Sequence, residues 1–130
     1  MAKIGFIGLG IMGAPMVGHL LDGGHEVISC VHRKPAPDEL TKKGLKVVKT
    51  GKEVAAAAEV IITMVPDTPQ VQEVLFGENG VAEGLSKGKL VIDMSSISPI
   101  ETKVFAEKIN KLGCDYLDAP VSGEIGRAHV

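Results

Sequence analysis

Tryptophan is absent from this 130-residue sequence, and aromatic residues amount to only 3%: one tyrosine and three phenylalanines. Few flat rings are therefore on offer for stacking against bases or sugars. A surplus of one charge is lacking too. Fourteen lysines and arginines stand against 16 aspartates and glutamates, for a net charge of −2, and the basic residues are scattered instead of forming a stripe. Both features argue against nucleic acid as a main partner. Cysteine is scarce: Cys30 and Cys114 lie far apart, with neither the Cys-x-x-Cys of a redox pair nor the close spacing of a metal knuckle, so they read as buried, reduced thiols. His19, His25 and His32 have no metal-site spacing. No uninterrupted apolar run is long enough to cross a membrane. The stretch from Ile4 to Leu21 is broken by Gly5, Gly8, Gly10, Gly13, Pro15 and Gly18, and no basic segment and cleavage site mark it for export. The expected setting is cytoplasmic and reducing, without a membrane.

What is present is the balance of a single packed domain, 45% hydrophobic and 23% charged, with 16 glycines that call for an explanation. Lys3–Ile7 is a short apolar run that stops at Gly8, and apolar residues recur at helical spacing from Met12 to Leu21. This is strand, tight turn, helix. Further strands are expected at Glu26–Val31, Leu45–Val48, Val60–Val65, Leu90–Asp93 and Cys114–Leu117. The helices expected between them are Asp38–Lys43, Lys52–Ala58, one opening between Pro66 and Pro69 and running through Phe76, and one capped by Ser98 and Pro99 and running to Leu112. The stretch after the Gly77–Gly80 turn reads as helix-poor. The exposed charges of the last helix, Glu101, Lys103, Glu107 and Lys108, read as a solvated face. Strands alternating with helices specify an α/β fold with an open, doubly wound, mostly parallel sheet and helices on both faces.

Gly8-Leu-Gly10-Ile-Met-Gly13 matches G-x-G-x-x-G in the context the chemistry requires, between a strand and a helix. The first glycine permits the tight turn, the second lets a pyrophosphate approach the backbone, and the third lets the helix pack on the strand. The helix N-terminus then presents free N–H groups to the phosphates. This is the Rossmann-like dinucleotide fingerprint. About 20 residues onward, where NAD-binding versions carry an acid for the ribose 2′-hydroxyl, the sequence reads Val31-His32-Arg33-Lys34. A guanidinium there can hold a 2′-phosphate, so NADP is favoured over NAD.

Four blocks resemble the β-hydroxyacid dehydrogenase family: Lys3 to Met16, Met64-Val-Pro-Asp-Thr-Pro-Gln-Val71 with Gly77-Glu-Asn-Gly80, Asp93-Met-Ser-Ser-Ile-Ser-Pro99, and Asp118-Ala-Pro-Val-Ser-Gly123. The second and third look most like the subgroup that reduces tartronate semialdehyde (2-hydroxy-3-oxopropionate) to D-glycerate in glyoxylate-linked metabolism. Position by position, the resemblance implies that Gly8, Leu9, Gly10, Ile11, Met12 and Gly13 line the pyrophosphate. His32 and Arg33 would border the adenosine ribose, Met64, Val65 and Pro66 would contact the nucleotide, and Ser96 would sit beside the nicotinamide ribose. Ser122 and Gly123 would take the carboxylate of a small hydroxy or oxo acid. The family's general-acid lysine and its neighbouring asparagine belong to a helical C-terminal domain that this sequence does not contain. The chain is thus expected to be an N-terminal, cofactor-binding part of an oligomeric enzyme, inactive alone, with no catalytic residue of its own. The alternatives are another β-hydroxyacid dehydrogenase, such as one acting on 3-hydroxyisobutyrate, or a non-catalytic NAD(P)-binding module.

Residues 1–123 constitute the incomplete nucleotide domain. The tail departs from the family: the usual second glycine after Gly123 is missing, and Glu124-Ile-Gly-Arg-Ala-His-Val130 is what GAG ATC GGA AGA GCA CAC GTC, a sequencing-adapter sequence, would encode. Residues 124–130 are read as artefactual. A truncated sheet of this kind is also expected to leave a strand edge and an apolar face uncovered.

Overall fold

Apolar residues on alternate positions of consecutive strands must be buried on both sides of a parallel sheet, and the chain obeys this from its first strand. The computed structural model describes residues 3–8, 13–30, 38–65, 68–95 and 99–119. The elements are β1 (Lys3–Ile7), α1 (Gly13–Asp22), β2 (Glu26–Cys30), α2 (Asp38–Lys42), β3 (Lys46–Val48), α3 (Gly51–Ala57), β4 (Val60–Thr63), α4 (Thr68–Phe76), α5 (Val81–Gly84), β5 (Leu90–Asp93), α6 (Pro99–Lys111) and β6 (Asp115–Asp118). The six strands form one sheet in the order β3-β2-β1-β4-β5-β6, every pairing parallel. The order turns back on itself at β1, where the chain crosses to β4. That reversal opens the crevice at the carboxyl ends of the strands in which such sheets bind ligands.

The period of two divides the core cleanly. Ile4, Phe6, Val27 and Ile62 face one side with Val17 of α1 and Leu40 of α2. Ile7, Ile28, Ile61 and Val91 face the other, under Val54, Val71, Leu75, Val81, Phe105 and Ile109 of α3 to α6. On the α1 side, Ile92 is half-buried and its register neighbour Leu117 is 51% exposed. β6 pairs only with β5, so among the described residues no further strand covers this edge.

Helix starts and stops follow local chemistry. Thr50 caps α3 by accepting the Glu53 N–H at 3.2 Å, while the Glu53 carboxylate accepts the Lys49 N–H at 2.9 Å. This reciprocal arrangement is a capping box displaced by one residue. The expected helix-poor stretch after Gly80 is corrected: Val81–Gly84 is a short helix. Glu83 reaches back to accept the Asn79 N–H at 2.8 Å, and Val81 is fully buried, so tertiary burial and a local cap overcome the weak helix propensity of the segment. Other boundaries move by one or two residues. β4 ends at Thr63 instead of Val65, and β6 is Asp115–Asp118.

Candidate functional site

The site begins with the turn that leaves β1. Gly8 has φ +115°, a conformation that L side chains rarely adopt, and a Cβ there would overlap the Met64 carbonyl. Met64 cannot easily yield, because its N–H donates to the Ile7 carbonyl at 2.8 Å. Gly13, the first residue of α1, lies so close to the turn that a Cβ would overlap the Gly8 carbonyl and stand 3.0 Å from the Phe6 ring. The two outer glycines of the fingerprint are therefore required by sterics. The first makes the turn, and the third seats the helix with its N-terminus at the end of β1. A tight turn leading into a helix N-terminus is the setting in which such sheets take a pyrophosphate, so the described residues Gly8 and Gly13 fit a dinucleotide.

Beside the turn lies a cleft of about 530 Å³. Ile7, Gly8, Cys30, Val65 and Val74 give it a largely apolar wall at the ends of β1, β2 and β4, and Lys49, Gln70, Glu73 and Asn79 give it a polar rim. A flat, partly polar group fits such a lining. Met64 and Val65 diverge: Met64 packs with the α1-side core and Val65 with the opposite face, where it lines the cleft. The structure thus brings Gly8, Gly13, Met64 and Val65 together. Leu9, Gly10, Ile11, Met12, His32, Arg33, Pro66, Ser96, Ser122 and Gly123 lie outside the described residues.

Two features escaped the sequence reading. The first is Cys30, expected to be buried. It is half-buried and opens onto the cleft, whereas Cys114 is buried with its thiol directed at the Ser86 carbonyl. Desolvation raises the Cys30 thiol above its ordinary value of 9.0, with Glu53 adding to the effect. Alkylation of Cys30 by iodoacetamide, followed by mass spectrometry, should therefore be slower than that of free cysteine and should still accelerate above about pH 9.

The second is a hydrogen-bond network at the ends of β4, β5 and β6. Asp93 is fully buried. Its Oδ1 accepts from the Thr63 hydroxyl and the Ser95 N–H, each at 3.0 Å, and its Oδ2 accepts from the Tyr116 hydroxyl at 3.0 Å. The Ser95 hydroxyl accepts the Val65 N–H at 2.8 Å. Burial, followed by the neighbouring Asp93 charge, pushes the Tyr116 phenol far up, so it stays a donor. Desolvation and Asp93 also raise the Asp118 carboxyl. The available signal was a carboxylate ending the otherwise apolar run Leu90-Val-Ile-Asp93.

The family described as the NAD binding domain of 6-phosphogluconate dehydrogenase matches residues 3–129. The chain belongs to this family. Its relatives place it among the β-hydroxyacid dehydrogenases. It is 58% identical over 125 residues to the 2-hydroxy-3-oxopropionate reductase of Escherichia coli K12, covering 95% of this chain and 42% of that protein. It is 45% identical over 121 residues to the 3-sulfolactaldehyde reductase of the same organism, covering 93% of this chain and 41% of the other. Among solved structures, Mycobacterium tuberculosis 3-hydroxyisobutyrate dehydrogenase with L-serine superposes with a TM-score of 0.84 at 34% identity, over 95% of this chain and 41% of that one. Psf3 in complex with NADP+ and 2-OPP superposes with a TM-score of 0.85 at 28% identity, over 92% and 43%. The chain spans about two fifths of the length of each of these proteins. Among the described residues there is no cluster of potential metal ligands, and no helix is long and apolar enough to cross a membrane.

Proposed function

We propose that this chain supplies the dinucleotide-binding half of an NAD(P)-dependent reductase whose full-length parent converts 2-hydroxy-3-oxopropionate to D-glycerate. The observation that carries the cofactor half is the glycine turn at the mouth of the cleft, where Gly8 and Gly13 leave room for no side chain. Support for the substrate is the 58% identity to the 2-hydroxy-3-oxopropionate reductase, against 45% to the 3-sulfolactaldehyde reductase.

When bound, the nicotinamide supplies the hydride. The chain's own residues bind and orient. Gly8, Leu9, Gly10, Ile11, Met12 and Gly13 would hold the pyrophosphate. His32 and Arg33 would border the adenosine ribose, where a guanidinium can take a 2′-phosphate by charge-assisted hydrogen bonds. Met64, Val65 and Pro66 would contact the nucleotide, and Ser96 would serve the nicotinamide ribose. Ser122 and Gly123 would take the substrate carboxylate. Protonation of the product oxygen falls to a lysine in the remainder of the parent, so this chain binds cofactor without turnover. Residues 1–123 form the binding unit, and the parent is a cytoplasmic homo-oligomer.

Titration of the purified chain with NADPH and NADH, following nicotinamide fluorescence and thermal stability together, tests the reading. Saturable binding with a raised melting temperature is expected, tighter for NADPH, and Arg33→Ala should erase the preference. Cooperative melting with no response to either dinucleotide would overturn it. Comparing the full-length gene product on 2-hydroxy-3-oxopropionate, 3-sulfolactaldehyde and the 3-hydroxyisobutyrate pair decides the substrate.

A further inference from the structure

We infer that Asp93 is a positioning residue: its buried carboxylate draws the carboxyl ends of β4, β5 and β6 into one rigid seat for the nicotinamide half of the dinucleotide. The inference rests on the cofactor reading above and adds a role to a residue outside the binding turn. It starts from a misfit in the hydrophobic pattern. Val91 and Asp93 alternate onto the same face of β5, and Val91 is packed in the core with Phe105 and Ile109. An aliphatic residue would continue that face. A carboxylate taken out of water there is costly unless its lone pairs are filled.

The lone pairs are filled in a way that links three neighbouring strands. Each donor comes from a different element: Thr63 from β4, the Ser95 main chain from the loop after β5, and Tyr116 from β6. The backbone ladder runs one residue past the strands, with Met94 N–H on the Thr63 carbonyl at 2.8 Å and Ala119 N–H on the Asp93 carbonyl at 2.9 Å. Beyond that point the side chains take over. Ser95 relays the network to the loop after β4 by accepting the Val65 N–H. A buried network whose members are all satisfied is stiff, because each bond fixes the geometry of the next.

Its place in the sheet assigns what it steadies. The cleft lies at β1, β2 and the near side of β4, while the network occupies β4, β5 and β6. A dinucleotide laid across the switch point puts its adenosine half in the cleft and its nicotinamide half over the network. The protonated Tyr116 hydroxyl keeps the third bond in place across the working pH range.

The test separates the two halves of the ligand, using the 130-residue chain with NADH and ADP-ribose as probes. Asp93→Ala strips three donors of their acceptor. It should weaken NADH about tenfold, the size expected when positioning hydrogen bonds are lost, and abolish the fluorescence change of bound nicotinamide, while ADP-ribose affinity stays within about twofold. Asp93→Asn should restore NADH binding, because its Oδ1 keeps the Thr63 and Ser95 donors and its amide can donate to the Tyr116 oxygen. If Asp93→Ala does not melt cooperatively, Thr63→Val combined with Tyr116→Phe keeps the Ser95 link and should show the same split. Equal loss of NADH and ADP-ribose in a variant that still melts cooperatively would make Asp93 merely structural and overturn the inference, as would unchanged NADH binding. If the unsubstituted chain melts cooperatively but binds neither probe, the cofactor reading itself fails and this inference goes with it.

Discussion

Gly8→Ala is expected to abolish saturable dinucleotide binding and to destabilise the chain by about 3 kcal/mol or more, combining backbone strain with overpacking. Two independent costs meet at this position. The φ of +115° is one that an alanine rarely adopts, and the new methyl would be driven into the Met64 carbonyl. Neither side can move cheaply, since Met64 is tied to the Ile7 carbonyl and the turn is closed from the other direction by Gly13. Urea denaturation and NADPH titration of the variant measure the two effects separately. A variant with unchanged midpoint and affinity would mean that the turn is not built as described, and the cradle would lose its steric basis.

Phe105→Ala should cost about 3–5 kcal/mol, the range for truncating a fully buried phenylalanine. Phe105 is 0% exposed on α6 and meets the Phe76 ring of α4 with centroids 5.5 Å apart, tilted by 45°. Lys108 on the next turn of α6 holds its ammonium 4.9 Å from the Phe76 centroid, so the exposed charge is not simply solvated. Set against a total stability of about 5–15 kcal/mol for an ordinary domain, the loss should bring the urea midpoint down sharply and loosen α4 and α6 together. A change below about 1 kcal/mol would contradict the packing described for this face.

The legible part of the fold was that set by local patterns. Val60-Ile-Ile-Thr63 is apolar on both faces because a parallel strand is covered on both sides, so a continuous run sufficed to place it. The glycines at 8 and 13 were legible as a tight turn between a strand and a helix, because their spacing calls for close backbone approach at both positions. The α5 helix was not legible, since Val81–Gly84 is short and weakly helical, and it exists because Val81 finds the core. Cys30 illustrates the same limit. Its position at the end of β2 was readable, but its opening onto the cleft depends on Val65, from the loop after β4, and on Val74 of α4.

By itself, the sequence determined the alternation of strand and helix, the two-sided burial of the sheet and the place of the glycine turn, because each is encoded in neighbours along the chain. The tertiary structure alone decided the strand order, the cleft at the switch point and the company of Asp93. Thr63 and Asp93 are 30 residues apart, and Tyr116 is 23 further on. Only the parallel register of β4, β5 and β6 brings their side chains within hydrogen-bonding distance, and no local pattern records a contact made by folding at that range.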